Sequence, residues 1–199
     1  METTFTPTLF TPGEAEGITG VSTALQRDWR RRGFLPSNDG HARFDVFALA
    51  EMWALRLLAE RGIGPQQSRK AAAWLAAGIV HEALQHRQAY EGDFEAAALR
   101  GAHPDDNVQD RLDVLARWIV QERSRPRGAG QVLPARFFVW TGDGKRRWVD
   151  SVDAWFDDID GGRRKGAGAV IVMDQRALGR RLLDLARRPF VHVEEGEAE

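Results

Sequence analysis

Cysteine is absent from all 199 residues of the chain. That absence excludes a disulfide framework, a thiolate zinc site and a cysteine nucleophile. The sequence also lacks any apolar run approaching the roughly 20 residues that a membrane-spanning helix needs. Its first residues have no basic segment followed by an apolar stretch, so they do not predict a secretory signal. We therefore expect a cytoplasmic protein with no membrane partner.

The sequence also has no marked excess of positive or negative charge. Lys and Arg number 28 against 29 Asp and Glu, and 43% of the residues are hydrophobic, which is typical of a folded globular protein. Nucleic-acid binding depends on cations that neutralise phosphates, so their distribution matters more than their sum. Residues 1–70 hold nine cationic and eight acidic residues, and four of those cations lie within residues 27–32. This run predicts a local cationic spot on a neutral body.

Caps and periodicity predict two short helices near the start of the chain. Thr11 is a good N-cap with Pro12 as first helical residue, and Ser22 caps a second helix that ends near Gly33. An Asp39-Gly40 turn between residues 34–36 and 41–45 predicts a β-hairpin wing. Further helices are predicted over 46–60, 66–90, 107–121, 151–158 and 175–187, with one or two helical turns at 94–100 and an exposed linker at 124–130.

The last third of the sequence changes to strand patterns. A hairpin is predicted from 136–141 and 146–149, and the most apolar segment, 169–173, predicts a buried strand. A final strand is predicted at 190–193, before an acidic tail at 194–199 that we expect to fray. The basic glycine-rich segment at 161–168 lacks the Gly-Lys-Ser/Thr ending of a phosphate-binding loop and precedes a strand, so a basic surface loop is favoured.

Four short motifs occur in the N-terminal third. They are Phe10-Thr11-Pro12-Gly13-Glu14-Ala15, Thr19-Gly20-Val21-Ser22, Arg27-Asp28-Trp29 and Gly33-Phe34-Leu35-Pro36. In order and spacing this stretch resembles the DNA-binding domain of MerR-family transcription regulators, over about residues 9–75. The chain departs from the family pattern at Asp28, where an aromatic residue is usual, and at Arg43, one position later than the wing arginine.

The resemblance implies a mainly α-helical winged helix-turn-helix domain over residues 1–90, with 26–32 in its recognition helix. A helical connector and linker would span 91–130, and a small α/β domain over 131–199 would serve oligomerisation, partner or effector binding. Double-stranded DNA is the implied partner, a homodimer the implied assembly, and RNA polymerase a further candidate partner. No sequence feature supports a small-molecule effector, and we expect no cofactor and no enzymatic activity.

A recognition helix meets base edges with its first turns, which assigns each candidate contact a role. Base contacts are predicted for Ser22, Thr23, Ala24, Gln26 and Arg27. Phosphate contacts are predicted for Arg30 and Arg31, and for backbone N–H groups near Thr11 and Gly13. In the wing, His41 and Arg43 alternate with Ala42 and Phe44, so they can face DNA if Phe44 packs inward. Trp29 is expected in the core.

Two other functions remain open from the sequence. A phage-type excisionase-like factor would use a similar winged fold to bend DNA, and a protein-interaction adaptor would keep the fold without contacting DNA. The adaptor is favoured by the near-zero net charge. A metal site is not indicated, because His81 and His86 are five residues apart and face different sides of a helix. The C-terminal aromatic residues favour a hydrophobic core over a ligand pocket; they are Phe137, Phe138, Trp140, Trp148, Trp155 and Phe156.

Overall fold

A computed structural model describes residues 3–36, 41–92, 107–123, 134–142, 144–160 and 169–195. These residues form a mixed α/β fold. Its helices are α1 (Pro12–Thr19), α2 (Thr23–Arg31), α3 (Val46–Ala59), α4 (Pro65–Leu84), α5 (Val108–Arg123), α6 (Val152–Asp160) and α7 (Gln175–Ala186), with a 3₁₀ turn at Arg87–Ala89. Its strands are β1 (Thr3–Pro7), β2 (Tyr90–Gly92), β3 (Phe137–Thr141), β4 (Arg146–Val149), β5 (Val170–Asp174) and β6 (Val191–Glu195).

The first three helices each begin at a residue whose side chain caps the first turn. Thr11, Ser22 and Asp45 each accept a hydrogen bond from a backbone N–H three residues further on. Pro12 is the first residue of α1, where its missing N–H has no helical partner to lose. The predicted caps at Thr11 and Ser22 are confirmed.

The connection between α1 and α2 is held by an arginine from α3. Gly20 ends α1 in the left-handed region at φ 68°, which a side chain would disfavour. The Arg56 guanidinium lies against Gly20 and donates from Nη1 to the Thr19 carbonyl oxygen at 2.7 Å. A Cβ at Gly20 would collide with that guanidinium. The angle at which α2 leaves α1 is therefore tied to α3.

The first sheet joins the two ends of the chain. Its strand order is β1-β6-β2, with β1 antiparallel and β2 parallel to β6. Phe5 pairs with Val193, and Tyr90 pairs with Val191. Neither β1 nor β2 is predicted from the sequence. The boundary drawn at residue 90 falls inside this sheet.

The second sheet contains the predicted hairpin. β3 is its central strand, pairing antiparallel with β4 on one side and β5 on the other. The strand predicted at 169–173 is confirmed as β5. Its predicted burial is wrong, because β5 is an edge strand in which Met173 is buried while Val172 is 39% exposed. Phe138 of β3, the cross-strand partner of Met173, takes the buried central position instead.

One hydrophobic core runs through α1 to α5, α7 and both sheets. Within this core α4 and α7 cross closely, because a Cβ at Gly179 would lie 2.8 Å from the Ala83 nitrogen. On α4, Gly78 leaves room for the fully buried Gln175 side chain, which donates from its amide to the Ala135 carbonyl. Buried residues from 1–90, 91–130 and 131–199 all belong to this core.

Two further sequence predictions differ from the structure. The helix expected over 66–90 ends at Leu84, and the 3₁₀ turn and β2 follow it. Within the described residues, 34–36 and 41–45 form no hairpin; Phe44 instead makes an antiparallel bridge to Phe10, with N···O distances of 2.8 and 2.9 Å. The Asp39-Gly40 turn, the turns at 94–100, the linker at 124–130, the basic segment at 161–168 and residues 196–199 of the tail lie outside the described residues. The tail is predicted to fray from residue 194, but Glu194 and Glu195 belong to β6.

Candidate nucleic-acid interface

Helix α2 has an inner and an outer face. Trp29 lies on the inner face at 4% exposure, so its predicted core position is confirmed. Residues at helical spacings of three and four, Ala24, Arg27 and Arg31, are exposed on the opposite face. Thr23 and Arg30, at the margin between the faces, are partly buried. The predicted site residues thus divide by helical geometry into an outward group and an anchoring group.

Gln26 belongs to the anchoring group, which corrects its assignment to base readout. Its side chain is 2% exposed, and its amide nitrogen donates to the carbonyl oxygens of Val21 and Pro12 at 2.8 and 3.0 Å. These bonds tie α2 to the start of α1 and to the turn between the helices. Because Gln26 precedes Trp29 by three residues, the helical period already puts both on one face. We remove Gln26 from the candidate interface.

The positive charge of the arginines on α2 is partly neutralised by Asp28 of the same helix. Asp28 accepts from Arg31 at 2.7 Å and lies 3.4 Å from an Arg32 nitrogen. The hydrogen bond from Arg31, followed by that from Arg32, lowers the pKa of Asp28 despite the opposing effect of desolvation. Arg32 also stacks over the Phe34 ring. Arg27 makes neither an ion pair nor a hydrogen bond with any part of the chain that the structure describes.

Carboxylates accept hydrogen bonds from backbone N–H groups at the starts of both α1 and α2. At α1, a Glu14 oxygen accepts from the Thr11 backbone N–H at 2.7 Å, completing a capping box. That backbone hydrogen bond is the largest cause of the lowered pKa of Glu14. At α2, a Glu16 oxygen accepts from the Thr23 backbone N–H at 3.0 Å. The Thr11 N–H is thus satisfied internally, which corrects its assignment to phosphate, while Gly13 lies exposed in the first turn.

Residues 41–44 alternate between exposed and more buried positions, as expected. Phe44 is buried, Ala42 is partly buried, and both His41 and Arg43 are exposed. Arg43 donates to the Ala42 carbonyl at 3.1 Å, and its charge helps to lower the pKa of Glu14. Arg43 therefore lies on the side of the molecule where α1 begins.

Arg188, far away in the sequence, fixes the start of α1. Its Nη2 donates to the Leu9 carbonyl oxygen at 2.7 Å, and its Nη1 lies 3.5 Å from a Glu14 carboxylate oxygen. The guanidinium also lies over the Phe10 ring, 4.3 Å from the centroid. Sequence reasoning missed both Arg188 and Arg56, because their partners lie 179 and 37 residues away and no local pattern marks such contacts.

The C-terminal aromatic residues were predicted to form core. Phe138 and Trp155 are buried and Phe137, Trp140 and Trp148 partly buried, as expected of core residues, but Phe156 is 45% exposed.

Over the described ranges, no three His, Asp or Glu side chains come close enough to hold a metal ion. None of the described helices combines the length and apolar character needed to cross a bilayer.

The outer face of α2 is the part of this surface whose chemistry can recognise a ligand. On this face the exposed guanidinium of Arg27 offers five N–H donors in a planar fork, a geometry suited to two acceptors side by side. Arg31, four residues later on the same face, has its guanidinium held by Asp28 at 2.7 Å. In comparisons with known proteins, no family model matches the sequence, and neither a curated protein nor a solved structure matches the chain.

Proposed function

We propose that the protein is a sequence-specific DNA-binding transcription regulator that uses α2 as its recognition helix. The observation that carries this proposal is the outer face of α2, where Arg27 and Arg31 are exposed opposite the buried Trp29. A helix anchored on one face and cationic on the other fits the B-DNA major groove, which is about 12 Å wide and bordered by phosphates. The MerR-like motifs of residues 9–75 support the same assignment, with α1 and α2 as the helix-turn-helix.

The contacts of the three outward residues differ in role. Arg27 has no partner among the described residues, and we assign it a bidentate hydrogen bond to guanine O6 and N7. Arg31 is already oriented by Asp28, which suits a contact to a phosphate at a defined position. Ala24, one turn before Arg27, is short enough to lie against a thymine methyl group. Base reading thus depends chiefly on Arg27.

A single short helix buries little surface, so we propose that the protein binds as a homodimer. Two recognition helices would then read half-sites about 34–36 Å apart. In this proposal the part of the chain after α4 serves oligomerisation or contact with a partner, and RNA polymerase is the partner expected of a transcription regulator. Neither a cofactor nor a chemical reaction enters the proposal.

The test is binding of labelled duplex DNA across a salt series, for wild type, Arg27→Ala and Arg31→Ala. We expect the logarithm of the association constant to fall linearly with the logarithm of salt concentration. Arg31→Ala should reduce that slope by about 1, because one phosphate contact is lost. Arg27→Ala should relax sequence preference, with a loss of about 1–3 kcal/mol on the preferred site. Arg181→Ala, which removes an exposed arginine on α7, is the matched control.

A protein-interaction adaptor is the second candidate, and one observation favours it. Carboxylates of Glu14 and Glu16 occupy the starts of α1 and α2, and Asp28 offsets the charges of Arg31 and Arg32. Such internal pairing weakens attraction to a polyanion. Salt-insensitive or absent DNA binding, unchanged by either α2 substitution, would reject DNA recognition and favour the adaptor.

A further inference from the structure

Glu16 lies beside the first turn of the proposed recognition helix. It is an exposed residue on α1, and its Oε2 accepts a hydrogen bond from the Thr23 backbone N–H at 3.0 Å. The capping of α2 does not depend on it, because the Ser22 hydroxyl accepts separately from the Leu25 N–H at 3.3 Å. Glu16 therefore brings a negative charge to the start of α2 in addition to the usual polar cap.

The negative charge of Glu16 changes which ligand groups can bind at the start of α2. An unpaired helix N-terminus attracts phosphate through its free N–H groups. Here the first N–H of α2 is already bonded to a carboxylate, and a phosphate brought to the same place would face a like charge. The carboxylate still has acceptor capacity, because its two oxygens offer about four lone-pair sites and the Thr23 N–H uses one. The ligand that fits this place is a neutral hydrogen-bond donor.

We infer that Glu16 is a specificity-determining residue that accepts a hydrogen bond from the exocyclic amino group of a cytosine in the major groove. Cytosine N4 is the donor that acidic side chains read there. The inference deepens the proposed function and rests on it, because it requires that the start of α2 faces base edges. It makes α1 part of the reading surface, together with the outer face of α2.

The helix geometry predicts where this cytosine lies. Thr23, whose backbone N–H donates to Glu16, precedes Arg27 by four residues. Four residues of α-helix rise by about 6 Å, which is roughly two base-pair steps of about 3.4 Å each. The preferred site therefore contains a cytosine within about two base pairs of the guanine read by Arg27.

The experiment is selection of bound duplexes from a random library by wild type, Glu16→Gln, Glu16→Ala and Arg27→Ala. We expect the wild-type motif to contain the Arg27-dependent guanine and a nearby cytosine preferred roughly 5- to 150-fold over other bases. Glu16→Ala should reduce the cytosine preference to about twofold or less and keep the guanine. Glu16→Gln can still accept from the Thr23 N–H, but its amide group should shift the preference from cytosine towards adenine.

Two measurements separate this role from a structural one. Both Glu16 variants should bind random duplexes severalfold more tightly than wild type at low salt, because a negative charge is removed near the phosphates. Asp153→Asn, which removes an exposed carboxylate on α6, should leave that affinity unchanged. Thermal unfolding of Glu16→Gln should fall only slightly below that of wild type, because Gln keeps an acceptor for the Thr23 N–H and loses only the charge beside the helix start.

The outcomes distinguish this inference from the function on which it rests. A wild-type motif with an Arg27-dependent guanine, but with base preferences identical in both Glu16 variants, overturns the role of Glu16 and keeps DNA recognition. Failure of wild type to enrich any motif overturns both. Loss of all binding in Glu16→Gln, together with a lowered unfolding temperature, would assign Glu16 to structure and overturn the inference as well.

Discussion

Gly179 is the position where one added methyl group tests the packing between α4 and α7. A Cβ there would lie 2.8 Å from the Ala83 nitrogen, the Glu82 Cβ and the Ile79 carbonyl oxygen. Two of these are backbone atoms, so the two helices must separate to admit it. Such overpacking costs about 1–3 kcal/mol, whereas replacing glycine by alanine in a helix otherwise gains up to about 1 kcal/mol. We expect Gly179→Ala to lower the free energy of unfolding by up to about 2 kcal/mol.

Gly17 provides the matched control, because it also lies inside a helix but nothing stands within 4 Å of the position its Cβ would take. Gly17→Ala should raise the free energy of unfolding by about 0.5–1 kcal/mol through helix propensity alone. Urea denaturation followed by far-ultraviolet circular dichroism measures both variants. Gly179→Val, with its larger branched side chain, should be less stable than Gly179→Ala. If Gly179→Ala is as stable as Gly17→Ala, α4 and α7 are not packed as closely as described.

Two predictions concern buried polar groups. Gln26→Ala removes the hydrogen bonds to the Pro12 and Val21 carbonyl oxygens, and should lower the free energy of unfolding in urea by about 1–3 kcal/mol; an unchanged value would contradict the anchoring role. Burial raises the pKa of Glu51 from 4.5 to about 7. Protonated Glu51 therefore favours the folded state fully below about pH 4.5, and this contribution to the free energy of unfolding is lost as the pH rises through about 7. Glu51→Gln should therefore be more stable than wild type at pH 8 by about 1–3 kcal/mol and equally stable near pH 4; equal stability at both pH values would contradict the burial of this carboxyl.

Elements whose causes are local were predictable from the sequence. α3 was expected over 46–60 and spans Val46–Ala59, because its apolar period is strong and Asp45 caps it. The hairpin of β3 and β4 was predictable because its turn residues and strand patterns are adjacent in the chain. In α2, the cap at Ser22 and the inward position of Trp29 also follow from local spacing.

Features that depend on distant partners were not predictable. β1 becomes a strand only because β6 lies beside it, and its partner residues are some 190 positions away, as in the pairing of Thr3 with Glu195. The burial of β5 was overestimated because an apolar run does not reveal whether its strand has neighbours on both sides. In the candidate interface, Gln26 lies beside arginines in the sequence, which favours a base contact; its burial becomes apparent only once the packing of α2 is known.

The central claim, that this protein recognises DNA by sequence, is tested most directly by a titration of one selected duplex against a scrambled duplex of the same composition. Binding is measured at about physiological salt, where specific regulators typically bind their sites 10³-fold or more tightly than other DNA. We expect a ratio of that order for wild type and a ratio reduced roughly 5- to 150-fold by Arg27→Ala. Equal affinity of wild type for the two duplexes would contradict it.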